Sequence, residues 1–250
     1  VDILSDEEML RYNRQIILKN FDFDGQEALK QSSILIIGAG GLGCASSQYL
    51  AAAGIGSLTL VDDDKVELSN LQRQVLHNND SIGVDKVESA RTALRKINPN
   101  VMIKTINHRL DDTALEAQIK EHDLVLDATD NVDTRNQLNR LCFKHKKPLV
   151  CGAAIRMEGQ VSVFTYKDDS LPCYACLSAL FGDTTLSCVE AGVMSPVVGI
   201  IGATQALEAI KVLANYGQPK IGKLLIFDGL SLSWRDMGLP KSKACKVCGE

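Results

Sequence analysis

"ILIIGAGGLG", Ile34 to Gly43, decides the fold. Four consecutive apolar residues suit a strand buried on both faces, and they run straight into a G-x-G-x-x-G turn at Gly38, Gly40 and Gly43. The next residues, "CASSQYLAAAG", read as a helix. Glycines at such a turn let the backbone come close to a phosphate, and the free N–H groups and dipole of the helix start favour an anion there. Downstream, "LTLVDDD" supplies a second strand ending at Asp62, a carboxylate placed for ribose hydroxyls. The motif alone is weak. The preceding strand, the following helix and the acidic strand end together point to a nucleotide, without saying which.

Working outward, the chain alternates in the manner of βαβ units. Strands are predicted at 33–37, 57–62, 101–107, 124–129 and 148–151, with helices at 41–53, about 85–97, 112–121 and 133–146. This order predicts a Rossmann-like α/β fold: a mostly parallel sheet with helices on both faces and ligand at the carboxyl ends of the strands. Beyond Gly152 the pattern changes, and "QVSVFTY" and "KLLIFDGLSLSWRDM" read as late antiparallel strands of the same sheet. Upstream, Ser5 and Glu8 form a capping box for a helix "DEEMLRYNRQIIL", and a short helix "QEALKQS" follows Gly25. No Pro-, Gly- or Ser-rich linker and no repeat interrupts the chain, so one domain is expected over 1–250. It would carry N-terminal helices over 1–30, a crossover loop over 167–195 and a tail over 240–250.

The 250 residues are 45% hydrophobic and 23% charged, which excludes a disordered chain. With 27 basic and 31 acidic residues the net charge is −4, so no global basic field argues for nucleic acid or an anionic membrane. The apolar stretch "AGVMSPVVGIIGATQALEAIKVL" carries Pro196, several glycines and Glu208, and reads as a buried helix rather than a membrane span. The charged N-terminal residues do not resemble a signal peptide, which leads us to expect a cytoplasmic protein. There, eight cysteines are better read as thiols or metal ligands than as disulfides.

Four of them form two C-x-x-C pairs, Cys173/Cys176 and Cys245/Cys248. Each pair can chelate from one turn, and four thiolates match the closed tetrahedral shell of structural Zn²⁺; a redox pair or an iron–sulfur centre is the alternative. Zinc held this way has no open position for substrate, so it would tether the tail to the crossover loop. Cys44, Cys142 and Cys151 fall on apolar faces and read as packing. The four histidines show no metal-ligand spacing, and His77, near the glycine turn, is given no role.

Cations decide the ligand. After Asp62 come Asn70, Gln72 and Arg73, then Lys86 opening a helix; Asp130 and Asn131 lie just past a strand end. Such cations suit a triphosphate, and a carboxylate on the ligand face can hold Mg²⁺ against phosphate oxygens. ATP·Mg²⁺ fits this set better than a dinucleotide, because nothing in the sequence reads as a nicotinamide-facing acid or base.

"RYNRQIIL", "GAGGLG", "DDDKVELSNLQRQ", "DATDNVDTR", "GAAIRMEGQVSVF", the C-x-x-C pairs and "EAGVMSPVVGIIGATQALEAIK" together resemble the MoeB/ThiF family, related to the adenylating domains of ubiquitin-activating enzymes. The resemblance covers essentially the whole chain and is strongest to the MoeB branch, through "CFKHKKPLVCGAAIRMEGQ" and "CVEAGVMSPVVG". It implies ATP-dependent adenylation of the C-terminal glycine of a ubiquitin-like sulfur carrier ending in Gly-Gly, for molybdenum cofactor synthesis. The thiamine-pathway carrier, or a non-catalytic nucleotide-binding scaffold, is the alternative. The resemblance also implies that Gly41 lies against the nucleotide, Asp62 on the ribose, Asn70, Arg73 and Lys86 on the phosphates and Asp130 on Mg²⁺. It further implies a homodimer with 1–30 at the interface and Arg14 reaching the neighbouring protomer's site, and a separate sulfurtransferase as sulfur donor. Relatives carry a cysteine matching Cys188 that in some branches bonds covalently to the carrier. The carrier's groove is expected near Arg156 and Met157.

Overall fold

The computed structural model describes residues 3–181 and 191–249. Cys188 and most of the predicted loop "LFGDTTLSCVEAGV" lie outside them. Among the described residues one sheet runs in the order β3-β2-β1-β4-β5-β6-β7-β8. β1 (Ser33–Ile37), β2 (Ser57–Val61), β3 (Met102–Ile106), β4 (Leu124–Asp127) and β5 (Leu149–Ile155) are parallel. β6 (Glu158–Phe164), β7 (Lys223–Asp228) and β8 (Ser233–Gly238) extend the sheet antiparallel.

The apolar run in β1 is buried on both faces, as its composition requires. Ile34 and Ile36 enter one core with α4 (Gly41–Ala53), α5 (Lys86–Ile97) and α9 (Ser195–Leu213). Leu35 and Ile37 enter the other, with α6 (Asp112–Glu121), α7 (Val132–Lys144) and α8 (Tyr174–Phe181). α9 is long and apolar enough to cross a membrane, yet its Val198, Ile201, Ala206 and Ala209 are buried in the first core. Pro196 sits in its first turn, where the missing N–H costs no helical bond.

Several expected boundaries shift. The predicted strand 148–151 continues to Ile155, because a tight turn at Arg156 (φ +55°) folds it back onto β6 in register from Leu149↔Phe164 to Ile155↔Glu158. The predicted strand 124–129 stops at Asp127, whose carboxylate accepts hydrogen bonds from the Thr129 N–H (3.0 Å) and hydroxyl (2.7 Å) and bends the chain away.

The single N-terminal helix is instead two, α1 (Asp6–Arg11) and α2 (Asn13–Ile16), broken where Tyr12 turns inward. The Tyr12 ring packs on Gly54, where an added Cβ would lie 2.5 Å away, and its hydroxyl accepts a hydrogen bond from Asn98 Nδ2 (2.7 Å). The expected capping box holds, since Ser5 and Glu8 cap each other's backbone. α3 (Asp22–Gln31) begins before Gly25, which sits inside it because the Phe21 ring leaves no room for a side chain there.

Candidate nucleotide site and four-cysteine centre

Strand order reverses between β2 and β4 on either side of β1, and a cavity of about 1070 Å³ opens at the carboxyl ends of these strands. In open α/β sheets this crevice is where ligands bind. Gly38, Gly40, Gly41, Asp62, Asn70, Arg73, Lys86, Asp130 and Asn131 all line it. Arg14 does not; it is exposed on α2.

The glycine turn is built by close approach. Gly38 has φ +103° and passes so near β4 that a Cβ would lie 2.6 Å from the Ala128 carbonyl oxygen. A Cβ on Gly41 would meet Val198 of α9 at 2.5 Å, so packing against α9 demands this glycine independently of any ligand. The turn delivers the N-terminus of α4 to the cavity with no side-chain cap on its N–H groups.

Asp62 is already engaged, accepting hydrogen bonds from the N–H of Ala39 (2.7 Å) and of Asp64 (2.9 Å). Burial raises its carboxyl above the ordinary range, opposed by these N–H groups and by Lys86. Lys86, with only 8% of its side chain exposed, pairs with Asp64 at 2.7 Å, so its charge is held at the cavity wall. Asn70 is buried and its Oδ1 accepts from Glu67 N–H (2.9 Å). Arg73 donates to Ser69 O (3.1 Å). Across the cavity Asp130 is exposed beside Asn131, whose Oδ1 caps α7 through Thr134 N–H (2.8 Å).

Three residues escaped the sequence reading. His77 is buried beneath the turn: its Nε2–H donates to Ala39 O (3.1 Å) and its Nδ1 accepts from the Ser89 hydroxyl (2.8 Å). Burial lowers its pKa, so it is a neutral strut. Gln74 backs Gly40, buried, with Oε1 unpartnered among the described residues. Arg135 pairs with fully buried Asp127 at 2.8 Å. Only Arg135 left a trace in the sequence, because a cation near a helix N-terminus is disfavoured without an anionic partner. The cysteines read as packing are buried, and burial pushes the Cys44 thiol up to about 12.

Cys173, Cys176, Cys245 and Cys248 converge, with Sγ–Sγ distances of 3.6 Å (Cys173–Cys245) and 3.4 Å (Cys176–Cys248) and all four sulfurs within 4.8 Å of one another. Tetrahedral Zn²⁺ with Zn–S bonds of about 2.3 Å needs sulfurs about 3.8 Å apart, which this cluster provides with small adjustment. Asn139 Nδ2 points a donor at Cys173 Sγ (3.6 Å), the outer-sphere bond that thiolate ligands commonly receive.

A Rossmann-like sheet with cations and a carboxylate around a switch-point cavity, and a thiol cluster outside its lining, defines a nucleotide-binding α/β protein equipped for a triphosphate. The sequence profile of the ThiF family matches residues 12–247, and the chain belongs to that family. It is 63% identical to the molybdopterin-synthase adenylyltransferase of Escherichia coli K12 and 60% to that of Salmonella typhimurium LT2, each over 99% of both chains. The "Adenylyltransferase and sulfurtransferase MOCS3" of Aedes aegypti is 44% identical over 100% of this chain and 57% of its own length. Among solved structures, PaaA superposes with a TM-score of 0.82 at 28% identity, covering 97% of this chain and 76% of that one. Escherichia coli MccB superposes at 0.85 and 24%, covering 99% and 74%, a likeness of fold. The chain is thus an enzyme of the adenylyltransferase class.

Proposed function

We propose that the chain transfers the adenylyl group of ATP to the C-terminal glycine carboxylate of a ubiquitin-like sulfur carrier, the small subunit of molybdopterin synthase. Pyrophosphate leaves, and the acyl-adenylate is primed to become a thiocarboxylate. The observation that carries this reading is the gathering of Asn70, Arg73, Lys86 and Asp130 around one α4 N-terminus at the switch point. The names of the relatives, molybdopterin-synthase adenylyltransferases, support the choice of carrier and pathway.

The chemistry needs no general base, because a peptide C-terminal carboxylate is ionised at neutral pH. The barrier is repulsion between the carboxylate and the triphosphate, together with charge growing on departing pyrophosphate. Arg73 and Lys86 face that charge from one wall, Asn70 donates a neutral hydrogen bond, and Asp62 takes the ribose. Asp130 would hold Mg²⁺, which would supply positive charge against the phosphate oxygens. By the family resemblance Arg14, which does not line its own cavity, would enter from a second copy. Zn²⁺ in the four cysteines would be structural. A small second cavity at Arg156, Met157 and Met194 shares Gly192 and Val193 with the first, and offers an extended Gly-Gly tail a way in. A separate sulfurtransferase would then supply the sulfur, all within the cytoplasm.

ATP–pyrophosphate exchange with each candidate carrier tests this. We expect exchange only with the molybdopterin-synthase subunit, and a loss of roughly 100-fold or more in Lys86→Ala, the scale for removing one charge-stabilising donor. Exchange driven only by the thiamine-pathway carrier would redirect the assignment, and no exchange with any carrier would leave a nucleotide-binding scaffold. The dimer has its own test. Arg14→Ala and Lys86→Ala proteins, each strongly impaired, should regain part of the exchange when mixed, because one site of a heterodimer is then intact. Mixing without recovery, in a sample shown to form heterodimers, would place Arg14 in cis or out of the reaction.

A further inference from the structure

Arg135 has no part in the chemistry above, yet it is among the most heavily bonded side chains beside the cavity. Its Nε donates to Asp127 Oδ2 (2.8 Å), and its Nη2 donates to both Thr129 O (2.8 Å) and Gly152 O (3.1 Å). Asp127 holds the same turn from its other side, accepting from Thr129 N–H and Oγ–H. Donor and acceptor groups of Thr129, the residue before Asp130, are therefore both engaged, and the turn is fastened to β5 through Gly152. The guanidinium also lies over the Tyr174 ring, 5.7 Å from its centroid. Tyr174 follows Cys173, and its N–H donates to Asn139 Oδ1 (2.9 Å), while Asn139 Nδ2 faces Cys173 Sγ. A continuous set of contacts thus runs from the cysteine cluster to the turn that carries Asp130.

We infer that Arg135 is the positioning residue of the Thr129–Asp130 turn, fixing where Asp130 presents its carboxylate to a nucleotide-bound divalent cation, and that Tyr174 buttresses it from the cysteine cluster. The argument rests on Asp130 facing that cation, as proposed above. A fork is required: one planar group must reach a carboxylate and two carbonyls at once, which a lysine ammonium on a flexible stem does not do. Removing the charge altogether would strand buried Asp127, so methionine there risks the fold. Arg135→Lys keeps the charge and loses the fork. Tyr174→Leu keeps Arg135, Asp127 and all four cysteines while removing the aromatic face.

The experiment titrates Mn²⁺ by electron paramagnetic resonance in the presence of a non-hydrolysable ATP analogue, with metal-free analogue binding and zinc content measured on the same samples. Arg135→Lys is expected to weaken Mn²⁺ binding about tenfold and Tyr174→Leu about threefold, within the range of coupling carried by packed networks. Metal-free nucleotide affinity and zinc content should stay at wild-type values, which a general loosening of the fold would not allow. Wild-type Mn²⁺ affinity in folded Arg135→Lys overturns the positioning role; wild-type affinity in Tyr174→Leu alone overturns the buttress. Wild-type protein that binds Mn²⁺·nucleotide without pyrophosphate exchange would sink the proposed function and leave this inference standing. Exchange in wild type with unaltered Mn²⁺ binding in the variants would do the reverse.

Discussion

At the scale of single residues, the glycine turn tolerates almost nothing. A Cβ on Gly43 would fall 1.9 Å from the Gly38 carbonyl oxygen, a backbone atom that can yield only if α4 moves off the strand. Gly43→Ala should therefore lower stability by about 1–3 kcal/mol, as overpacking does, and weaken nucleotide binding, both readable by thermal melts with and without ATP. Buried histidines give a pH signature. His77 and His122 are both depressed below 6.5, burial being the main cause and their hydrogen bonds to Ala39 and Gln118 opposing it. Their contribution is complete above the unfolded value near 6.5 and is lost as pH falls through it toward the lower folded values. The thermal midpoint should drop as pH falls below the unfolded histidine value near 6.5, less steeply in His122→Gln than in wild type. That Asp62, Lys86 and Asp130 would line the cavity was legible because each follows a strand end or opens a helix, whereas Asn70 and Arg73 stood out only as polar and cationic residues downstream of Asp62. His77 and Gln74 were not, since their partners Ala39 and Gly40 belong to another element and no local pattern joins them.

At the scale of elements, the N-terminal helices are fastened to the carboxyl end of α4 by side-chain amides. Gln15 and Gln26 both donate to Ala53 O (3.0 and 2.8 Å), and Asn98 donates to Ala51 O (2.8 Å) as well as to Tyr12. The bonds to Ala53 O satisfy a carbonyl that the end of a helix leaves unpaired, while Ala51 O also accepts from Gly54 N–H (3.1 Å). Tyr12→Phe should cost about 1 kcal/mol, the worth of one buried hydrogen bond, whereas Tyr12→Ala should cost about 3–5 kcal/mol through its cavity; denaturant titration separates the two. This anchoring explains why one predicted helix became two. Helical periodicity continues through Tyr12, but the break there coincides with the ring packing on Gly54 and its hydroxyl bonding to Asn98, contacts no local pattern announces. The extension of β5 was equally hidden, because "GAAIRMEGQ" carries no Asn-Gly or Asp-Gly turn signal and Arg156 adopts the left-handed region unaided by its type.

For the whole molecule, the alternation of apolar strands and amphipathic helices made the five-stranded parallel half and its ligand-facing end readable, while the strand order and its reversal at β1 came only with the structure. Where the tail lay was readable only through the chemistry of its cysteines. Beyond the four sulfurs the tail has few anchors, among them Leu239 N–H to Gly222 O (3.0 Å) and Ser242 N–H to Cys176 Sγ (3.5 Å). A chelator that strips metal from the cluster should lower the thermal midpoint and expose residues 240–249 to protease. Retained stability after complete removal would count against a structural metal. α9 raises a different matter. While the chain is being made, this helix is an apolar segment long enough to be taken for a bilayer span, and nothing yet covers it. Glu208 and Lys211, paired with each other in the folded protein, are the two charges of this helix and oppose such sorting, by less than the roughly 2.5–3.5 kcal/mol that a charge costs at a span's centre because both lie in its last two turns. Replacing both by leucine would leave a longer uncharged stretch and tilt a nascent chain toward the translocon, so a pair that reads as a minor salt bridge in the finished fold also guards the route by which the fold is reached.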